Sequence, residues 1–209
     1  MPFIVIFDLS RLRLTGSGFT VPNVDNVDDY EFSLALRRSE IRELVQSWTH
    51  TPAVLVDRHL NVLVSNSLAQ ALSESFVEST NLAQFAFLHP GVPRDAECWE
   101  ETAAQVAALL RDSLDQHEED RAFLAIVGEL SAKSWDFPEA WAQRGQARPT
   151  GTATFLDTEV GDVSLGYHLT RVPENFDDTL ILFGSVDDES KVLLDRLAAT
   201  LGSRGSVAP

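Results

Sequence analysis

The chain of 209 residues has a single cysteine, Cys98. Neither an internal disulfide nor a cysteine-based metal cluster can therefore form within it. Basic residues are also few: 16 Lys and Arg stand against 32 Asp and Glu, a net charge of -16. A phosphate backbone demands a cationic face, so this balance argues against direct nucleic-acid binding. The same deficit argues against docking on an anionic membrane. Long apolar runs are missing as well. The N-terminus, MPFIVIFDLSRLR, holds one five-residue apolar run with no basic residue before it, which is not a signal peptide. No stretch approaches the length of a membrane span, and a cytoplasmic location is the expectation. Catalytic signatures are absent: there is no Gly-x-Ser-x-Gly, P-loop or dinucleotide fingerprint. His50, His59, His89, His117 and His168 are scattered without metal-ligand spacing. The acidic run from Asp25 to Glu31 lacks the glycine and terminal glutamate of a calcium loop. No metal, no cofactor and no enzymatic activity are expected.

What is present is a core. Hydrophobic residues make up 44% of the chain and aromatics 9%, which disfavours disorder. The organising stretch is Thr51 to Leu72, TPAVLVDRHLNVLVSNSLAQAL. Ala53 to Val56 and Val62 to Val64 are aliphatic strand runs, and Asp57 to Asn61 is a polar reversal between them. Asn66 or Ser67 can cap a helix carrying Leu68 and Leu72 at i and i+4. So short a hairpin needs more strands or a helical layer to bury its apolar face.

The flanks supply both. Residues 1–32 read as a β-like arm followed by an acidic linker, and an apolar arm of this kind needs a sheet edge to pair with. Ser33 opens a helix with the stripe Ile41, Leu44, Val45 and Trp48. After the hairpin the period is helical: Asn81 to Leu88, then a long helix from Asp95 with Trp99, Ala103, Val106, Leu110 and Leu114 on one face. Glu118, Glu119 and Asp120 suit the first turn of the next helix, whose stripe is Phe123, Val127 and Leu130, widened by Leu124 and Ile126. Trp135, Phe137 and Trp141 mark a last short helix with Pro138 near its start. The period then switches to two. Thr152 to Leu156 is one strand. Val163, Leu165, Tyr167 and Leu169 alternate with polar residues in a half-buried second strand. Leu180 to Phe183 is a continuous apolar run that suits a central strand. Asp187 and Asp188 cap a final helix bearing Leu193, Leu197 and Leu201, and residues 202–209 form a loose tail. The fold class is α+β: a PAS-like five-stranded antiparallel sheet with a helical block covering one face, plus the N-terminal β-like arm, with the domain itself spanning residues 33–201.

Beyond this order of elements, the words TPAVLVDRHLNVLVSN, NLAQFAFLHP, ECWEETAAQVAALLR, VGELSAKSWDFPEAW, VGDVSLGYHLTRV and LILFGS occur in sequence from about Arg38 to Leu201. In this the chain resembles the ligand-binding domain of MmyB-like (MltR-like) actinobacterial transcription regulators. The resemblance implies a sensor for an apolar, fatty-acid-like small molecule. It also implies an N-terminal helix-turn-helix, for which residues 1–32 leave no room. Direct DNA binding is therefore not expected here. Three positions depart from the family pattern: Ser65 stands where a tryptophan is usual, Arg144 where a histidine is, and His168 where a glutamate is.

The candidate pocket residues are Phe76, Phe85, Phe87, Trp99, Phe123, Val127, Trp141, Arg144, Tyr167 and His168. The aromatic ones serve an ordinary core equally well, whereas an apolar pocket with a few polar anchors is the usual form of a ligand site. Arg144, Arg148, Tyr167 and His168 lie where the helical block meets the sheet and suit a carboxylate head. Two functions follow. One is a stand-alone sensor that binds an apolar ligand, a fatty acid among them, and signals through a homodimer or a separate DNA-binding partner. The other is an interaction module with a filled core, in which the N-terminal arm adds to a sheet edge.

Overall fold

The computed structural model describes residues 38–96, 98–114, 120–172 and 175–205. The expected arm and linker, the helix start at Ser33, and Glu118 and Glu119 lie outside them. Helix α1 occupies 38–47. It is followed by β1 (Ala53–Val56), β2 (Val62–Ser65) and α2 (Ser67–Leu72), then a single 3-10 turn (Glu74–Phe76) and α3 (Leu82–Leu88). Next come α4 (Trp99–Leu114), α5 (Arg121–Lys133) and α6 (Phe137–Ala142). The chain ends with β3 (Thr150–Thr158), β4 (Gly161–Val172), β5 (Asn175–Ser185) and α7 (Asp188–Gly205). The strands form one five-stranded antiparallel sheet in the order β2-β1-β5-β4-β3. The apolar run Leu180–Phe183 thus lies in the central strand, flanked by β1 and β4.

Local chemistry explains the hairpin. The Asp57 carboxylate accepts from the backbone N–H of His59 and Asn61 at 2.9 and 2.8 Å and from Asn61 Nδ2 at 2.9 Å. This network holds Leu60 at φ +65°, a conformation unusual for a bulky side chain, while leaving it buried. Asn66 then joins three elements. Its Oδ1 accepts from the N–H of Ala53 and Ala69, and its Nδ2 donates to the carbonyls of Trp48 and Thr51, at 2.7 to 3.2 Å. One buried amide thereby starts β1, caps α2 and fastens the end of α1.

Alternation along the strands divides the core in two. The inner face presents Val54, Val56, Val163, Leu165, Ile181 and Phe183 to α2–α7 in the main core. The outer face presents Ala53, Leu55, Val64, Leu180 and Leu182 to Ile41, Val45 and Trp48 of α1 in a smaller one. So α1 covers the half of the outer face that the other helices leave bare. Arg38 on α1 donates through Nε and Nη2 to the fully buried Asp178 of β5, both at 2.8 Å. Over β3 and β4 the outer face is polar up to Val172, which joins the smaller core, with Thr152, Thr154 and His168 exposed.

Four expectations shift. The long helix begins at Trp99 rather than Asp95. Turns from Pro93 to Ala96 and from Ala96 to Trp99 occupy the approach, and Arg94 donates to the Phe87 carbonyl at 2.7 Å. Asp120 is the N-cap of α5, accepting from the N–H of Ala122 and Phe123, rather than a first-turn charge. Leu44 and Leu124 are exposed, so the buried stripes are narrower than expected, and Trp135, expected to mark the last short helix, stands before it and is 96% exposed. Helix α7 runs on to Gly205.

The two sheet edges differ. Beyond β2, Val62 N–H donates to the Thr80 carbonyl and Ser79 N–H to the Val62 carbonyl, both at 2.8 Å, and Asn61 bridges to Asn81. Beyond β3, among the described residues, no strand pairs.

Candidate functional site

The inner core is closed at one end and open at the other. At the closed end aromatic rings fill the space between the layers. Phe76 meets Phe155 and Phe183 with centroids 5.9 and 5.5 Å apart. Phe87 meets Trp99 and Phe137 edge-on at 5.6 and 5.0 Å, and Phe137 meets Trp141 at 5.4 Å. Phe123 is buried on α5, with Val127 partly buried beside the same core. Phe85 is half-buried and stacks on His89 at 4.4 Å. Tyr167 faces inward over Gly151, where a Cβ would come within 2.6 Å of its hydroxyl; the close approach is open to glycine alone. Arg144 is exposed on the segment before β3, and His168 is exposed on the outer face of β4.

At the other end lies a cleft of about 310 Å³ between α4 and the sheet. None of the ten candidate residues lines it. Its apolar wall is Val56, Leu60, Leu109, Leu169 and Ile181, with Ala147 and Pro149 at one side; its polar groups are Asp57, Arg58, Asp112, Ser113, Arg171, Asp177 and Thr179. The signal for them was in the sequence. The inward alternation Val163, Leu165, Tyr167, Leu169, carried one step further, places Arg171 on the inner face. A charge at an inward register position beside the Asp57-Arg58 reversal marks a polar anchor in an apolar wall.

The cleft is built from braced parts. The segment before β3 is laced to α4: Gln105 Nε2 donates to the Arg148 carbonyl at 2.9 Å, and Gln105 Oε1 accepts from the Arg148 N–H at 3.0 Å. Asp112 accepts from Ala147 N–H at 3.1 Å, and Arg148 pairs with Glu101 at 2.6 Å. Arg111 lies 5.0 Å above the Trp141 ring and donates to the Trp141 and Gly145 carbonyls. At the mouth, Ser113 Oγ donates to the Arg58 carbonyl at 2.7 Å. The Arg58 guanidinium reaches Asp120 at 3.0 Å and Asp177 at 3.5 Å. Asp120 also pairs with His59 Nε2 at 2.7 Å.

The electrostatics follow. Burial alone would raise the Asp120 carboxyl, but hydrogen bonds from His59 and the N–H groups of Phe123 and Ala122, with the charge of His59, hold it below the ordinary range. Burial pushes the Tyr167 phenol up, with a smaller downward pull from Arg148 and a push from Glu101. The mouth therefore carries an ionised Asp120 locked to the hairpin turn, and Arg58 shared between two carboxylates.

A braced antiparallel sheet under a helical layer, with an apolar cleft between them and charged groups at its mouth, is the arrangement of a small-molecule-binding sensor domain of PAS type. The family model described as the MmyB-like transcription regulator ligand binding domain matches residues 38–197, and the chain belongs to that family. No curated protein matches it significantly. Among the described residues, no helix is long and apolar enough to cross a membrane.

Proposed function

We propose that the protein is a sensor that binds an amphipathic carboxylic acid, of the fatty-acid class, in the cleft between α4 and the sheet. The observation that carries this is the cleft itself: a wall of Val56, Leu60, Leu109, Leu169 and Ile181 leading to Arg58 and Arg171. An apolar chain lies along such a wall and a carboxylate meets a guanidinium fork. At about 310 Å³ the space is at the low end of ligand pockets, roughly 300–1,000 Å³, which favours a short or medium chain. The reading is of a binding protein rather than an enzyme. The acidic groups near the mouth are committed to bonds that build the fold: Asp57 to the reversal, Asp112 to Ala147 and Asp120 to the α5 cap. The bound state is passed to a partner protein, cytoplasmic like the sensor, and the chain does not itself bind DNA.

The test is a titration of saturated carboxylic acids of rising chain length, with the matching alcohols as controls, read by calorimetry on the full chain. Acids should bind more tightly than alcohols. Arg58→Gln should remove the difference, and Leu109→Trp should abolish binding by filling the wall. Acids and alcohols binding alike, or binding that survives Leu109→Trp, would sink the reading.

A further inference from the structure

The two ends of the Arg58 guanidinium are held unequally. Nη2 reaches Asp120 Oδ2 at 3.0 Å, and the Asp120 side chain is only 11% exposed. The same oxygen meets His59 Nε2 at 2.7 Å, while Oδ1 accepts from the N–H groups of Ala122 and Phe123 at 2.9 and 3.3 Å. Asp120 therefore cannot move away from Arg58 without uncapping α5 and releasing His59.

The other end is looser. Nη1 faces Asp177 Oδ2 at 3.5 Å, well beyond the roughly 2.7–2.9 Å of a close charge-assisted hydrogen bond. Both side chains of this pair are more than a third exposed. Water screens such a pair, and its net contribution is small. Arg58 thus has a fixed end and an exchangeable end, and the exchangeable one faces Asp177, a residue of the cleft lining. A carboxylate that arrives along the wall of Val56, Leu60, Leu109, Leu169 and Ile181 meets Nη1 where Asp177 already stands. Two like charges at one N–H edge repel, so one of them gives way. An alcohol brings no charge to exchange.

We propose that Asp177 is a built-in competitor of the ligand: a bound carboxylate takes its place on Nη1 of Arg58. Nothing covalent changes. One ion pair opens as another closes, the guanidinium stays on Asp120, and the displaced Asp177 carboxylate turns to water at the mouth. Asp177 thereby holds the affinity for acids below what Arg58 alone gives, and so sets the concentration at which the sensor fills. The assignment rests on the carboxylate-binding reading of the cleft.

Calorimetry on the full chain tests it, with the saturated acids from hexanoate to dodecanoate and the matching alcohols. Asp177→Asn removes the competing charge at constant size. It should tighten the acids about 5-fold, the factor of an exposed ion pair at the upper end of its range, and leave the alcohols unchanged. Asp177→Ser should match it, Asp177→Glu should keep wild-type affinity, and thermal unfolding checks that each variant is folded. The gain must run through Arg58, so adding Asp177→Asn to Arg58→Gln should change acid binding by less than about 2-fold. Unchanged or weaker acid binding in both Asp177→Asn and Asp177→Ser overturns the proposal. An equal gain in the Arg58→Gln background also overturns it, because that is the general effect of removing a negative charge. Failure of the underlying reading looks different: the wild-type protein then binds acids no better than alcohols, and the exchange falls with it.

Discussion

The two ends of the space between sheet and helices share their strands but not their contents. Along β5, Phe183 belongs to the aromatic end and Thr179 to the cleft, with Ile181 between them. Along β4 the sequence from Val163 to Arg171 runs from closed to open, and along β1 it runs from Val54 to Val56. Where rings from both layers meet edge to face, the gap closes. Where the helix side offers Leu109, Asp112 and Ser113 to short aliphatic strand residues, the layers are held apart by their bracing and space remains. The difference teaches that a pocket in this fold comes from withholding aromatic volume rather than from lining it with aromatics.

Substitution should expose that contrast most strongly at the closed end. Phe87→Ala removes a fully buried ring touching Trp99 and Phe137 and should cost about 3–5 kcal/mol in urea unfolding. Leu169→Ala, at a half-buried cleft wall, should cost only about 1–2 kcal/mol, because the space it leaves is already open. Equal losses would mean that the cleft closes up as tightly as the core.

Adding volume gives a smaller effect with a sharper reading. Ala107 is completely buried, and Ala107→Leu should destabilise by about 1–3 kcal/mol through overpacking. Leu169→Phe has room to project into the cleft and should change stability by less than about 1 kcal/mol while blocking ligand. A comparable penalty for both would contradict an open cleft.

The smallest effect is in pH dependence. The folded carboxyl of Asp120 lies below its ordinary value of 3.8. Its contribution is therefore complete above that pH and is lost as pH falls through the lower folded value. Acid unfolding of Asp120→Asn, followed by tryptophan fluorescence, should lack this part of the pH dependence. Tyr167 moves the other way, raised above 10.0, so its contribution is present below pH 10 and fades as pH rises through the folded value. Absorbance titration should show Tyr167 ionising later than an ordinary tyrosine.

Much of this architecture was legible in the sequence because its determinants are local. Ala53–Val56 forms a strand with the expected bounds, and the Asn66 amide supplies the cap that opens α2. The central place of Leu180–Phe183 was legible because a strand without polar alternation must be covered on both faces. The cleft was not, for a geometric reason. Periodicity says which side chains face inward but not how far the opposing layer stands off. Phe76, Phe87, Trp99 and Phe123 do face inward, and they fill the space they share. His168, expected where the helical block meets the sheet, is exposed on the outer face of β4, because it alternates with the inward-facing Tyr167 and Leu169. Trp135, expected to mark the last short helix, only precedes it, since Ser134 Oγ accepts from the Phe137 N–H and the helix opens at Phe137.

The same alternation has a mechanical consequence on β5. Asp177 and Thr179 line the cleft, while Asp178 between them turns to the other face and grips Arg38. The cleft wall and the residue at the head of α1 are therefore held by consecutive residues of one strand, separated only by the thickness of the backbone. The head of α1 is thus tied, through one buried carboxylate, to the strand that forms the cleft wall.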